Sequence, residues 1–240
     1  GGIGLIQSPT ARFSNDGEFA FGISTEIPWN RLYSKVQFFP WLEVVLRYTE
    51  GTYKPYQPGM TQTWKDKGID LKVRLSEEGD RLPALAFGIT DFGGTGAFAS
   101  EYIVANKRFN NLDFTLGIGW GRLGGTNSLS NPLKWLSNFF TTGEGSGLGG
   151  QLNLGRLFSD EEPSIFGGIE YYTPISNLSV KLEYDSSDYA GVSGLETHIN
   201  RTGDLWDYDS RFNFAANYRF NIFQRDKIDL QIGYLRGNTV

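Results

Sequence analysis

Apolar and polar residues alternate along most of this chain with a period of two, the repeat of a β-strand whose two faces meet different surroundings. Phe19, Phe21 and Ile23 alternate with Ala20, Gly22 and Ser24. Leu42, Val44, Leu46 and Tyr48 alternate with Glu43, Val45 and Arg47, and Ile69, Leu71, Val73 and Leu75 with Asp70, Lys72 and Arg74. The same rhythm runs from Leu112 to Trp120, Leu178 to Tyr184, Phe212 to Phe220 and Ile228 to Tyr234. Segments 31–39, 83–91, 98–107 and 164–172 carry it too, and 147–154 more weakly. The pattern predicts an all-β chain of about eleven or twelve strands. Pro132–Phe140 reads as a short amphipathic helix, or as a loop element packed on the rim of the sheet.

Two architectures produce such alternation. In a soluble sandwich the apolar face is the core and the polar face meets water. In a transmembrane antiparallel β-barrel the apolar face meets lipid and the polar face lines the interior. Three features favour the barrel. The apolar stripes run four or five alternate positions, close to the 9–11 residues of a tilted spanning strand. Tyr48, Trp120, Tyr171, Tyr184, Phe220 and Tyr234 stand near stripe ends, where membrane girdles form. The opposite face mixes both charge signs with Gly and Ala. Glu43, Arg47, Asp70, Lys72, Arg74, Lys181, Glu183, Arg211 and Arg219 are therefore the candidate lumen-facing polar residues.

Connection lengths sort in the same way. Phe39-Pro40, Arg108–Asn111 and Thr173–Asn177 are tight, whereas 50–66, 121–163 and 186–210 are long. Long external loops and short periplasmic turns segregate in this manner only if 147–154 does not span. Eleven strands remain, an odd number for a closed barrel. A closing strand is then expected beyond Val240 or from the N-terminal segment, and 1–240 reads as one barrel domain in the N-terminal part of a longer chain.

Composition narrows the function. Gly is 31 of 240 residues and aromatics are 15%, which disfavours helical bundles and disorder. No apolar run reaches the roughly 18–20 residues of a spanning helix. There is no Cys and one His, so thiol chemistry, disulfides and multi-histidine metal sites are absent. A net charge of −5 gives no nucleic-acid footprint. No signal peptide is visible ahead of Gly1-Gly2-Ile3-Gly4, which fits a cleaved or removed leader.

Chemistry-bearing motifs are few. Gly119–Gly124 matches G-x-G-x-x-G, but Gly-Thr-Asn-Ser follows rather than a helical pattern, so a glycine-rich strand end is the better reading. Asp91-Phe92-Gly93 matches a kinase tripeptide without the other kinase elements, and Gly93–Gly96 reads as a loop tip. Asp185, Asp188, Glu196, Asp204, Asp207 and Asp209 surround His198 without EF-hand spacing, as in a solvated external loop. No pair of carboxylates is singled out for hydrolysis. The expectation is a non-enzymatic protein without cofactor or metal.

Several blocks resemble a known family. Gly2–Arg12 followed by Asp16-Gly17 is similar to the start of mature YjbH-like proteins, and the likeness continues through Pro40–Glu43, Leu46–Thr49 and Lys65–Leu75. It extends over Gly88–Gly96, Ser100–Tyr102, Asp113–Trp120, Phe166–Glu170 and Leu182–Tyr184, most of the chain. The resemblance implies a Gram-negative outer-membrane β-barrel, associated with exopolysaccharide or capsule biosynthesis and with further barrel-forming sequence downstream. It offers no catalytic residues to carry over.

The resulting expectation is a porin-like barrel in the bacterial outer membrane that assists polysaccharide export through a polar lumen. Its partners would be outer-membrane lipid, an exopolysaccharide, other polysaccharide-secretion proteins and downstream barrel sequence. The alternatives are a plugged barrel serving as scaffold or assembly partner, and a soluble secreted glycan-binding β-domain.

Overall fold

A computed structural model describes residues 4–55, 59–94, 96–126, 129–130, 151–152, 158, 162–188, 209–222 and 226–240. The strands are β1 (Phe19–Glu26), β2 (Trp29–Phe39), β3 (Leu42–Pro55), β4 (Thr63–Ser76), β5 (Ala84–Thr90), β6 (Gly93–Gly94) and β7 (Ser100–Phe109). They continue as β8 (Leu112–Gly119), β9 (Gln151–Leu152), β10 (Ser164–Tyr172), β11 (Leu178–Tyr184), β12 (Phe212–Asn221) and β13 (Lys227–Tyr234). Eleven of them form one sheet in the order β1-β2-β3-β4-β5-β7-β8-β10-β11-β12-β13, while β6 and β9 pair separately. Every neighbouring pair is antiparallel.

The period-2 reading thus located the strands of the large sheet. It misplaced the end of β3 and the start of β4. The expected loop 50–66 is mostly strand, because β3 and β4 stay paired through Glu50↔Lys65 and Gly51↔Trp64 after the apolar stripe ends. Backbone pairing and the ion pair between Lys65 and Glu50 (3.8 Å) sustain that stretch without an apolar face. The weak segment 147–154 contributes only the two-residue β9, outside the large sheet, and the expected helix 132–140 lies outside the described residues.

Short connections gather at one end of the sheet: β2–β3, β4–β5, β7–β8, β10–β11 and β12–β13. Asn110 (φ 51) and Asn177 (φ 66) take left-handed backbone in two of these turns, a conformation Asn tolerates. The long connections β8–β10 and β11–β12 lie at the other end, with β3–β4 and β5–β7. The two-residue β1–β2 connection lies at that end too, and β3–β4 (56–62) is no longer than β4–β5 (77–83), so the segregation anticipated from loop lengths holds for β8–β10 and β11–β12 and not throughout.

The distribution of exposure is inverted relative to a soluble protein. Phe21 (65%), Leu116 (63%) and Ile232 (62%) stand exposed on one face, with most outward positions of the other strands similar. On the opposite face Glu43 (1%), Lys72 (3%) and Glu183 (0%) are buried. The sheet curls around this polar side, so that Arg236, just after β13, donates to the carbonyl of Ile27 between β1 and β2 (2.9 Å). The ladder itself is open: no pairing joins β1 to β13 among the described residues.

Glycine allows large rings inside. Gly22, Gly88 and Gly117 each lie opposite an aromatic residue on the next strand, respectively Tyr33, Tyr102 and Phe166. A Cβ at Gly117 would collide with Cζ of the fully buried Phe166. Phe166 and Tyr102 meet edge to face at 6.4 Å and anchor a small apolar cluster with Ala84, Ala86, Val104 and Leu123. Overpacking of this kind costs about 1–3 kcal/mol. Gly117→Ala is therefore expected to lower the unfolding free energy by about that amount, measured by denaturant titration of the folded protein against the unsubstituted chain.

Candidate functional site

The candidate site is the polar face and what fills it. Because the repeat is two, Glu43, Arg47, Asp70 and Lys72 fall on the same side of β3 and β4. The register sets Glu43 opposite Lys72. Their side chains pair at 3.1 Å, and Arg47 meets Asp70 at 3.1 Å. On β1 and β2, Arg31 pairs with the buried Glu26 at 2.7 Å. Pairing answers the large desolvation penalty of an isolated buried charge.

The N-terminal segment completes this interior. Instead of adding a strand, as one expectation had it, residues 4–14 lie across the polar face, turning back once where Leu5 N–H donates to Ser8 O at 2.9 Å and Gly4 bridges Pro9. The backbone N–H groups of Ile6 (2.9 Å), Gln7 (3.0 Å) and Ser8 (2.9 Å) all donate to the Glu183 carboxylate. Asn213 donates to the same carboxylate at 2.9 Å. Lys181 Nζ donates to the carbonyls of Leu5 (2.9 Å) and Gly4 (3.2 Å). Further along, Ala11 N–H donates to Asn106 Oδ1 at 2.8 Å, and Lys72 Nζ donates to the Arg12 carbonyl at 2.7 Å. Apart from the Leu5–Ser8 hydrogen bond and the Gly4–Pro9 bridge, this backbone is not paired into the sheet, so inward-facing side chains supply its other partners.

Arg12 clamps the far end. Its guanidinium reaches Asp113 at 2.7 Å and Glu78 at 2.6 Å. Burial raises the Glu78 carboxyl, but the Arg108 N–H and the Arg12 guanidinium outweigh it and hold the group below the usual carboxylate range. Phe13 lies under Lys72 and Arg74, each 4.7 Å from its ring centroid. A cavity of about 1660 Å³ remains beside the segment, with Tyr33, Lys181, Arg219 and Asp229 in its lining.

At the end with the long connections, Phe98 folds inward against Trp29 (5.2 Å between centroids) and beneath Arg47 (5.2 Å). Asp91 (φ 55) holds that connection: its carboxylate accepts Phe98 N–H at 3.0 Å, and its own N–H donates to Asp70 at 2.9 Å. Burial raises the Asp91 carboxyl to about 6, with Asp66 and Asp70 adding to the rise and Arg47 and the Phe98 N–H opposing it.

Six of the sequence-selected lumen residues, Glu43, Arg47, Asp70, Lys72, Lys181 and Glu183, join this network. Arg74 stands nearer the rim and pairs with Glu77 at 2.6 Å. Arg211 ties down a connection by donating to Ser187 O at 2.9 Å. Arg219 pairs with Asp229 at 2.6 Å beside the open edge. Arg12, Asn106, Asp113 and Asn213 were not selected. The last three share the inner alternation and were legible from it, whereas Arg12 precedes the first strand and carried no periodic signal.

The girdle assignment needs correction. Tyr171, Phe220 and Tyr234 are exposed on the outer face near strand ends. Tyr184 is half-buried against Phe212 at 5.5 Å. Tyr48 lies mid-strand, because β3 continues to Pro55. Trp120 is buried: Phe158 packs edge to face on it at 5.2 Å and donates its N–H to Glu101 at 3.1 Å. A connection thus covers that part of the outer face.

In place of a nucleotide-binding helix, Gly121–Gly124 forms a single 3₁₀ turn. Asp185, Asp188 and Asp209 of the acidic loop are described, while Glu196, His198, Asp204 and Asp207 lie outside the described residues. Among the described residues no group of three acidic or histidine ligands converges on a metal position.

A family model described as exopolysaccharide biosynthesis protein YbjH matches residues 1–240. A protein of Escherichia coli (strain K12) named "Uncharacterized lipoprotein YjbH" is 39% identical over 244 residues, covering 100% of this chain and 33% of the relative. The chain therefore spans about a third of that relative's length. No solved structure matches.

Two outcomes follow from the interior. Glu183→Ala removes the acceptor of three N–H groups, and hydrogen bonds to a charged group contribute about 1.5–3 kcal/mol. The amides of Ile6–Ser8 should then exchange with deuterium about 10–100 times faster while the sheet amides stay protected. Asp91 binds its proton more tightly folded than unfolded, so its contribution to stability falls as pH rises from the ordinary carboxylate value of 3.8 through about 6. Asp91→Asn should flatten that decline by on the order of 3 kcal/mol, read from denaturant midpoints on either side of the window.

Proposed function

The chain belongs to the YjbH family of exopolysaccharide biosynthesis proteins, and from that premise we propose that it forms a β-barrel unit of the bacterial outer membrane that assists export of an exopolysaccharide. The reading is carried by one observation, the exposed apolar face wrapped around a buried charged one across an eleven-stranded antiparallel sheet. Contiguous apolar surface on this scale has a large cost in water and none in hydrocarbon. The placing of the two longest connections, β8–β10 and β11–β12, at one end of the sheet also suits a strand-spanning protein. The lipoprotein name of the E. coli relative supports a membrane location.

In this reading the interior is a polar path and residues 4–14 are its plug. Hydroxyls, amides and paired charges along the cavity offer hydrogen bonds to a sugar chain without chemically changing it. The protein is non-enzymatic and uses no cofactor, and its partners are lipid, glycan and other secretion proteins. A second reading, a permanently plugged scaffold, draws on the number of interior side chains committed to the segment.

Planar-bilayer recordings on the full-length protein test the conduit. Low conductance is expected with the plug seated and larger, longer openings with Glu183→Ala. A bilayer silent in both cases, together with unchanged polysaccharide secretion in a deletion strain, would sink the proposal. Replacing Arg47 and Arg74 by Ala separates the two readings: a conduit changes its ion selectivity, and a scaffold mainly loses stability. Folded chain that stays dispersed without detergent would favour a soluble glycan-binding domain over both.

A further inference from the structure

The open ladder has two edges, and the chain has already turned along one of them. After β13, Asn238 N–H donates to Leu235 O at 3.1 Å across Arg236 (φ 57) and Gly237 (φ 80). Positive φ at both central residues is the mark of a type I′ turn, whose twist suits antiparallel strands. Thr239 then pairs back with Leu235 in both directions, Leu235 N–H to Thr239 O at 2.7 Å and Thr239 N–H to Leu235 O at 3.0 Å.

Alternation of the ladder shows which side this occupies. Arg219 donates its N–H to Asn177 O, toward β11, so Phe214, Ala216, Tyr218 and Phe220 serve β13. Their partners Ile228, Leu230, Ile232 and Tyr234 are thereby satisfied, and Asp229, Gln231, Gly233 and Leu235 point their backbone groups away from β12. Thr239 meets Leu235 on that free side. Val240, 81% exposed, follows alongside Tyr234 and Ile232 on the outer face. On the other edge Gln37 N–H donates to Glu18 O, which leaves the backbone groups of Phe19, Phe21, Ile23 and Thr25 directed away from β2.

In an all-antiparallel order of eleven strands, β1 and β13 run in the same direction. A strand between them that opposes one opposes both, and the hairpin leaves Thr239 with that polarity. The fully buried Arg236 fixes the turn beside the β1–β2 connection through Ile27 O. Residues 4–14 are committed to the interior and are not available for the seam.

We propose that the seam between β1 and β13 receives one further strand that continues the hairpin from Val240, antiparallel to both edges, and closes the sheet as a twelve-stranded barrel. Its side chains alternate, apolar in register with Val240 and small or polar between, so that both faces of the sheet continue across it. The inference needs no lipid, because long unpaired edges template aggregation in water as well.

Residues 1–240 contain no Cys, and any Cys elsewhere in the full-length protein is first replaced by Ser so that the background for crosslinking is clean. One intervening strand sets the edges about 9–10 Å apart, beyond the roughly 7 Å Cα separation that a disulfide tolerates. In full-length protein carrying Ser24→Cys and Gln231→Cys, oxidation should form no disulfide, and a bis-maleimide of about 10 Å span should join the two within one chain. A disulfide within one chain, which signals direct β1–β13 closure, or a crosslink between two copies overturns the proposal. Hydrogen exchange of the unsubstituted full-length protein needs no variant: Phe21, Ile23 and Thr25 amides should exchange as slowly as those of Ala20 and Gly22. Exchange about 100-fold faster at the first three overturns it as well.

Discussion

Glu43, Lys72, Asp113 and Glu183 are buried on one face of a curled sheet, and each needs its counter-charge or hydrogen-bond partners within the molecule. Much of the structure follows from that need. Glu43 and Lys72 satisfy each other across adjacent strands. Glu183 accepts three backbone N–H groups of the N-terminal segment, and Asp113 takes the Arg12 guanidinium. The dependence is reciprocal, because a segment without a sheet partner also needs acceptors for its own N–H groups. Side-chain charge on the wall and backbone polarity on the segment complete one another.

The same inversion fixes how space is divided. Charged side chains take the interior in pairs, and glycine opposite aromatic rings lets Tyr33, Tyr102 and Phe166 lie flat against neighbouring strands. The apolar residues left outside form a continuous band, interrupted where Phe158 covers Trp120 and Glu101. That interruption lies at the end with the long connections, where one connection shields the Glu101 carboxylate on the outer face. The proposed lipid contact, plug and further strand are mutually compatible, because each takes a different surface.

Strand number and face were legible from period-2 alternation, because a strand's side chains point by parity whatever the strand packs against. Asn106, Asp113 and Asn213 were open to the same rule. Trp120 shows its limit: parity placed it outward correctly, yet its burial depends on Phe158, distant in sequence. Tyr48 shows another limit. Hydrogen-bonded pairing outlasts the apolar stripe in β3, so the end of a hydrophobic run is not the end of a strand.

By itself the sequence determined a one-dimensional pattern: eleven alternating segments, two chemically distinct faces and connections sorted by length. Tertiary structure decided what occupies the polar face, that the segment from Gly4 to Ser14 threads it, and that β1 and β13 are left as open edges with a hairpin begun at Leu235. The physical reason is range. Alternation is a local consequence of backbone geometry, whereas Glu183 meeting Ile6 and Ser8 joins residues more than 170 positions apart, and only the curled sheet brings them together.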